Sequence, residues 1–180
     1  MKAIQFHQYG APEVLVYETV NRPKPGVGEV LIQVHAAAVN PADWKFRMGH
    51  MQGFFDVSLP LILGLDVSGV VAEIDANVTG IEVGQAVYAV LGMRQGGYAE
   101  YAVVTNAGAV AAKPQTLDYI QAASVLSVAM TAWQSLFDLG KLEAGQTLLI
   151  HGAAGGVGMF AVQFAKLHGA NIIAALLYKV

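Results

Sequence analysis

The sequence predicts an α/β chain in two parts, and three observations carry that expectation. Short apolar runs separated by Gly, Pro, Asn and Asp turns fill the stretch up to about residue 120, the pattern of successive β-strands. From about Ile120 the apolar residues take helical spacing. An apolar run, Thr147–Ile150, then feeds the glycine-rich stretch His151-Gly152-Ala153-Ala154-Gly155-Gly156-Val157-Gly158, and an apolar-periodic segment follows at once. The division is therefore residues 1–120, β-rich, and residues 121–180, helix and then a strand–turn–helix–strand unit.

Taken in order, Met1–Gln5 reads as a strand and not as a signal peptide. Pro23, Pro25, Gly26 and Gly28 mark a loop before the strand Val30–Val34. Gly69–Ile74 and Ala86–Val90 are further strands, with a turn at Asn77-Val78-Thr79-Gly80 between them. Ala122–Ser127 and Thr131–Phe137 carry helix-like spacing that ends near Gly140. Val157, Phe160, Ala161, Phe164 and Ala165 fall on one face of the last helix. A turn at His168-Gly169-Ala170 leads to the strand Asn171–Leu176. From Thr147 to Leu176 is about thirty residues, the size of one βαβ unit.

Composition narrows the function classes. The chain has 180 residues, 55% hydrophobic and only 13% charged, which suits sheets buried on both faces. No uninterrupted apolar stretch has the length of a membrane span, because Phe160–Leu177 is broken by Gln163, Lys166, His168 and Asn171. Net charge is −3 with no basic cluster, which argues against a nucleic-acid partner. The cysteine count is 0, so disulfides and thiolate-bound zinc are excluded. The 5 histidines (His7, His35, His50, His151 and His168) show no metal-ligand spacing. A soluble cytoplasmic protein is the expectation.

The glycine run carries chemistry. A strand, a glycine turn and a helix in that order build a dinucleotide cradle. Gly152 permits the tight exit from the strand, Gly155 lets the backbone approach a pyrophosphate, and Gly158 lets the helix pack close to the strand. The N-terminal N–H groups of the helix then face the phosphates. Gly152, Ala154, Gly155, Gly156, Val157 and Gly158 are accordingly the expected cofactor-binding stretch. The spacing is G-x-x-G-x-x-G rather than G-x-G-x-x-G, so its context does most of the identifying.

Further segments complete a resemblance. Gly28–Ile32 follows the proline loop, then come Ala38-Val39-Asn40-Pro41-Ala42-Asp43-Trp44-Lys45, Gly64–Val71, Gly96-Gly97-Tyr98-Ala99-Glu100-Tyr101 and Thr131-Ala132-Trp133. With the glycine run, in this order, the chain resembles the medium-chain dehydrogenase/reductase superfamily in its zinc-free quinone oxidoreductase branch. The resemblance implies a GroES-like catalytic domain followed by the first βαβ unit of a Rossmann domain holding NADP(H). It also implies a truncated, N-terminal portion, since family members are roughly twice as long with four more Rossmann strands. The stretch Ala175–Val180 departs from the family pattern, as a truncation or a frameshift with a few foreign residues would produce.

The resemblance also assigns roles. Zinc-dependent relatives use an early Cys and a His-Glu pair, where this sequence has Asn40 and Leu65-Asp66, so no metal is expected. Asn40 would hydrogen-bond the nicotinamide carboxamide or hold the wall of the substrate pocket; alternatively, Asn-Pro simply initiates a turn. Lys45 could donate to a substrate oxygen, but many relatives carry Tyr there, which favours reading it as a solvated surface lysine. Thr131 would contact the cofactor near the ribose or phosphate, or pack within its helix. Asp66 reads as a structural acceptor for strand-end N–H groups, and Tyr98 and Tyr101 as strand aromatics. Lys179, with no acid in 174–180, would suit a 2′-phosphate and favours NADPH.

The expected reaction is hydride transfer to a small-molecule quinone or α,β-unsaturated carbonyl, whose conjugation spreads the incoming charge without a Lewis acid. No general acid stands out, and solvent could supply the proton. The alternatives are a zinc-free enoyl reductase and a catalytically inactive truncated module. The open parallel edge of a two-stranded unit invites homo-oligomeric pairing.

Overall fold

Two nine-residue strands, β3 (Glu29–Ala37) and β5 (Asp66–Ile74), form the centre of the larger sheet. Their β-branched residues alternate into one apolar core of Val30, Ile32, Val67 and Val71, all essentially without solvent contact. The computed structural model that shows this describes residues 1–55, 58–92, 96–105 and 110–176. It divides the chain into two units, Met1–Ser124 and Val125–Val180.

In the first unit the strand order is β7-β3-β5-β6-β8, with β6 Ala86–Val90, β7 Tyr101–Thr105 and β8 Val110–Ala112, all neighbours antiparallel. The β3–β5 register shifts between Leu31 and Ile32 and between Val34 and Ala36. Opposite the second shift stands Gly69, where a Cβ would lie 1.9 Å from the Gln33 carbonyl oxygen, so only glycine fits. A second, three-stranded sheet has the order β2-β1-β4, from β1 (Lys2–Phe6), β2 (Leu15–Thr19) and β4 (Leu61–Ile62). Between β3 and β4 lies a short helix, α1 (Pro41–Arg47). Phe46 of α1 joins Phe6, Leu61 and Leu63 in a separate small core, against which Tyr98 packs.

The helical segment expected over Ala122–Ser127 is two helices. Helix α2 (Tyr119–Ala123) is opened by an Asp118 cap that accepts the Gln121 N–H at 2.7 Å. It stops at Ser124, whose hydroxyl donates back to the Gln121 carbonyl at 2.7 Å. Helix α2 packs on β3, β5 and β6 of the first unit.

The second unit begins with α3 (Leu126–Trp133), which widens into a π-type turn, Gln134–Leu139, and ends at Gly140. The helix expected over Thr131–Phe137 therefore changes its hydrogen-bond spacing partway. Strand β9 (Thr147–His151) pairs in parallel with β10 (Asn171–Ala175), Thr147 opposite Asn171 and His151 opposite Ala175. Helix α4 (Gly156–Leu167) is the crossover between them. Its buried face is Gly158, Ala161 and Ala165, flanked by the partly buried Phe160 and Phe164, over Ile150 of β9. Val157 was expected on that face but stands 38% exposed, and Gly158 takes its place. Among the described residues no helix is long and apolar enough to cross a membrane.

Candidate functional site

Chemistry-bearing groups gather at two places, one in each unit. In the first unit they start from the sequence Asn40-Pro41-Ala42-Asp43. Asn40, in extended conformation, is the cap of α1, and Pro41 supplies a fixed φ at the first helical position. Asp43, three residues into the helix, reaches back and accepts the Asn40 backbone N–H at 2.6 Å, half of a capping box. The same carboxylate accepts the Gly64 N–H at 3.0 Å and the Tyr98 hydroxyl at 2.9 Å. Asp43 is 4% exposed, so this carboxylate is held away from water by donors from three separate chain segments.

Asn40 has a second anchor. Its side-chain Nδ2 donates to Asp66 Oδ2 at 2.7 Å, and Asp66, at the start of β5, is only 2% exposed. The packing that brings these groups together is close. Gly64 has φ +98°, and a Cβ there would meet the Tyr98 ring at 2.6 Å. Gly97 donates to the Gly64 carbonyl at 2.9 Å, and Tyr98 to the Leu63 carbonyl at 2.9 Å. Burial pushes the Tyr98 phenol well above its ordinary value, and the charges of Asp43 and Asp66 and the hydrogen bond to Asp43 add to the shift. Tyr98 is therefore a neutral hydrogen-bond donor throughout the physiological range.

In the second unit the candidate site is made of backbone. Gly152 has φ +69°, a left-handed conformation that turns the chain sharply off β9. Gly152 and Ala153 donate to the Ala175 carbonyl at 3.0 and 3.2 Å, fastening the turn to the end of β10. At Gly158 a Cβ would lie 2.3 Å from the Gly152 carbonyl oxygen and 2.7 Å from the Ala153 Cα, so the helix could not approach the turn with any larger residue. Gly155 caps α4 without contributing a side chain, and Ala154, Gly155, Gly156 and Val157 are exposed. The first-turn N–H groups of α4 have no intrahelical acceptor and remain available to an anion. The residues fit a pyrophosphate: Gly152 and Gly155 put no side chain at the turn, and the first-turn N–H groups of α4 supply donors.

The structure places the remaining sequence candidates as follows. Lys45 lies on the exposed side of α1 with its Nζ 5.8 Å from the Trp44 ring centre, and it is not part of the Asn40–Asp43–Asp66–Tyr98 cluster. The Thr131 hydroxyl donates to the Ser127 carbonyl at 2.6 Å on an exposed face of α3. Tyr101 stacks beneath the Arg22 guanidinium at 4.1 Å. Asp66 accepts a hydrogen bond from the Asn40 side-chain amide at 2.7 Å, which places it in the cluster as an acceptor. Lys179 lies outside the described residues. Among the described residues no three His, Asp or Glu side chains are grouped so as to hold a metal ion. Sequence reasoning missed Asp43 and Tyr98 as members of one cluster. The Asn-x-x-Asp spacing could have signalled the cap, but nothing local signals Tyr98.

Known proteins resemble this chain in sequence and fold. The alcohol dehydrogenase GroES-like domain family matches residues 26–115. Quinone oxidoreductase of Sus scrofa is 37% identical over 174 residues, which is 96% of this chain and 52% of that protein. A 2-methylene-furan-3-one reductase of Solanum lycopersicum is 38% identical over 185 aligned positions, 97% of this chain and 47% of that protein. The structure of Escherichia coli quinone oxidoreductase complexed with NADPH superposes with a TM-score of 0.87 at 29% identity, covering 98% of this chain and 52% of that one. The chain thus spans about half the length of the relatives it matches. With its GroES-like β unit and its glycine-turn βαβ unit, the chain belongs to the alcohol dehydrogenase GroES-like family, in the medium-chain dehydrogenase/reductase superfamily, alongside the quinone oxidoreductases.

Proposed function

We propose that this protein is an NADPH-dependent oxidoreductase that reduces quinones or α,β-unsaturated carbonyls without zinc. The observation that carries the reading is the phosphate cradle of the second unit. Its turn is left-handed at Gly152, and the contact between α4 and the turn leaves no room for a Cβ at Gly158. The relatives, the quinone oxidoreductases of Sus scrofa and Escherichia coli and the 2-methylene-furan-3-one reductase of Solanum lycopersicum, support the substrate class.

NADPH supplies the hydride when bound. The residues of this chain do the rest. The N–H groups at the start of α4, with Gly152 and Gly155, hold the pyrophosphate. Lys179 would pair with the 2′-phosphate, and Thr131 would lie toward the ribose. Asn40 is an amide fixed on a carboxylate, and it presents hydrogen-bonding groups to the nicotinamide carboxamide or to the pocket wall. A conjugated acceptor needs only such donors at its oxygen, because negative charge is already spread onto that atom. Tyr98 is held neutral and bonded to Asp43, so the closing proton is assigned to solvent. Support for zinc independence comes from the residues standing where zinc-dependent relatives carry ligands, Asn40 and Leu65-Asp66, the Asn40 amide being bonded to the Asp66 carboxylate. The reading includes a cytoplasmic location and small-molecule partners.

The test is a fluorescence titration with NADPH and, separately, NADH, followed by turnover with a quinone and with an enone. Saturable binding that is tighter for NADPH, with turnover of either acceptor, supports the proposal. A folded protein that binds neither nucleotide contradicts it and favours an inactive module. Preference for the enone over the quinone would mark an enone reductase, like the Solanum lycopersicum relative.

A further inference from the structure

The Asn40 amide is built to face one way, and the groups that decide it are not ligand contacts themselves. An asparagine side chain offers two N–H donors and one carbonyl acceptor, and a free amide flips between two orientations of similar energy. Here Nδ2 lies 2.7 Å from Asp66 Oδ2, and an ionised carboxylate only accepts hydrogen bonds. The nitrogen must point at Asp66. The backbone of the same residue is held independently, by the 2.6 Å bond from its N–H to Asp43 Oδ2. Asp43 can serve as that anchor because it is itself immobilised by the Gly64 N–H at 3.0 Å and the Tyr98 hydroxyl at 2.9 Å.

We infer that Asp43, locked by Tyr98, is a positioning residue that fixes the backbone of Asn40 so that its amide meets Asp66 in a single orientation. Removal of the Tyr98 hydroxyl withdraws one of the donors that hold Asp43, while the ring still fills the space over Gly64. The chain of effects therefore runs from Tyr98 to Asp43, to the first turn of α1, and only then to the amide. The inference rests on the proposed function for its purpose, since the oriented amide matters to a bound nicotinamide or acceptor. The geometry of the positioning does not need the ligand.

The experiment is side-chain amide NMR of the 180-residue chain without ligand, the Asn40 pair being assigned by its disappearance in Asn40→Ala. In the wild type the two Asn40 Nδ2 protons are expected to resonate well apart, one shifted downfield by the Asp66 carboxylate, and to exchange slowly with water. Tyr98→Phe and Asp43→Asn should narrow that separation and speed the exchange, with backbone amide spectra of β3 and β5 unchanged. Asp66→Asn should abolish the downfield shift outright. Asn40 protons that keep their wild-type shifts and exchange rates in a folded Tyr98→Phe protein would overturn the inference, and Tyr98→Phe decides the matter if Asp43→Asn does not fold. Because no nucleotide is present, failure of NADPH to bind would refute the proposed function while leaving this result standing. Loss of amide ordering in a chain that still binds NADPH at wild-type affinity would refute a role for the oriented amide in cofactor contact.

Discussion

The two units present function in opposite ways. In Met1–Ser124 the candidate site is made of side chains that converge: Asn40, Asp43, Asp66 and Tyr98. In the second unit it is made of backbone from which side chains have been withheld, at Gly152, Gly155 and Gly158. A converging site fails when atoms are removed, because buried donors and acceptors lose partners. A withheld site fails when atoms are added, through lack of room at Gly158 and through the left-handed backbone at Gly152. The contrast yields a ranked set of substitutions.

The largest effect is expected at Gly158. Its Cβ would meet backbone on two sides, at 2.3 and 2.7 Å, so neither neighbour can rotate away. Gly158→Val should destabilise the second unit by about 3 kcal/mol or more, read as an early urea transition in the signal of Trp133. Next is Asp43→Ala, which strands the Asn40 and Gly64 N–H groups and the Tyr98 hydroxyl. A loss of about 3 kcal/mol is expected, confined to the first unit. If Asp43→Ala lowered the midpoint of the second unit and not the first, the contrast between the units would be lost.

Gly152→Ala separates conformation from space. Nothing lies within 4 Å of a Cβ there, but φ is +69°, so the whole cost is backbone. The expected loss is about 1–2 kcal/mol, and an unchanged urea midpoint would show that the left-handed turn is not required. Tyr98→Phe should cost about 1 kcal/mol at neutral pH. It should also change the alkaline limb of stability. The folded-state pKa of Tyr98 is raised, so its contribution is fully present below the unfolded value of about 10. It is lost as pH rises beyond that value, where the unfolded phenol ionises and the folded one does not. Stability measured against pH should therefore fall less steeply above pH ~10 in Tyr98→Phe than in the wild type. Smallest for the fold is Gly155→Ala, whose Cβ would meet only the Gly152 carbonyl oxygen at 3.3 Å. Stability should shift by less than about 0.5 kcal/mol, while NADPH affinity falls because a methyl group stands at the cradle. Equal loss of stability and binding would mean that Gly155 serves the fold.

Legibility in the sequence follows the same division. The local conformations at Gly152 and Gly158 could be read, since a positive φ at a tight turn and a close helix approach each demand glycine at a local spacing. The strands β3, β5 and β6 were legible because each is a short apolar run bounded by Gly, Pro, Asn or Asp turns, a signal that is likewise local. Helices α2 and α3 were less so: both are apolar on several faces, and the break at Ser124 rests on one hydroxyl turned to the Gln121 carbonyl. Val157 was misread because spacing alone assigns a face, and Gly158, which has no side chain to count, is what packs there.

By itself, the sequence determined a β-rich part and a βαβ unit with a glycine-rich turn after its first strand. Periodicity, turn chemistry and composition act over a few residues, and each is complete within its own segment. The tertiary structure alone decided what Asp43 does. Its partners Gly64 and Tyr98 lie 21 and 55 residues away in sequence, and Asn40 is 26 from Asp66. Contacts at that separation are set by sheet pairing and by the left-handed turn at Gly64 that lets the Tyr98 ring approach. A buried carboxylate recruits whichever donors the folded chain delivers, because burial without them costs more than any local preference can return.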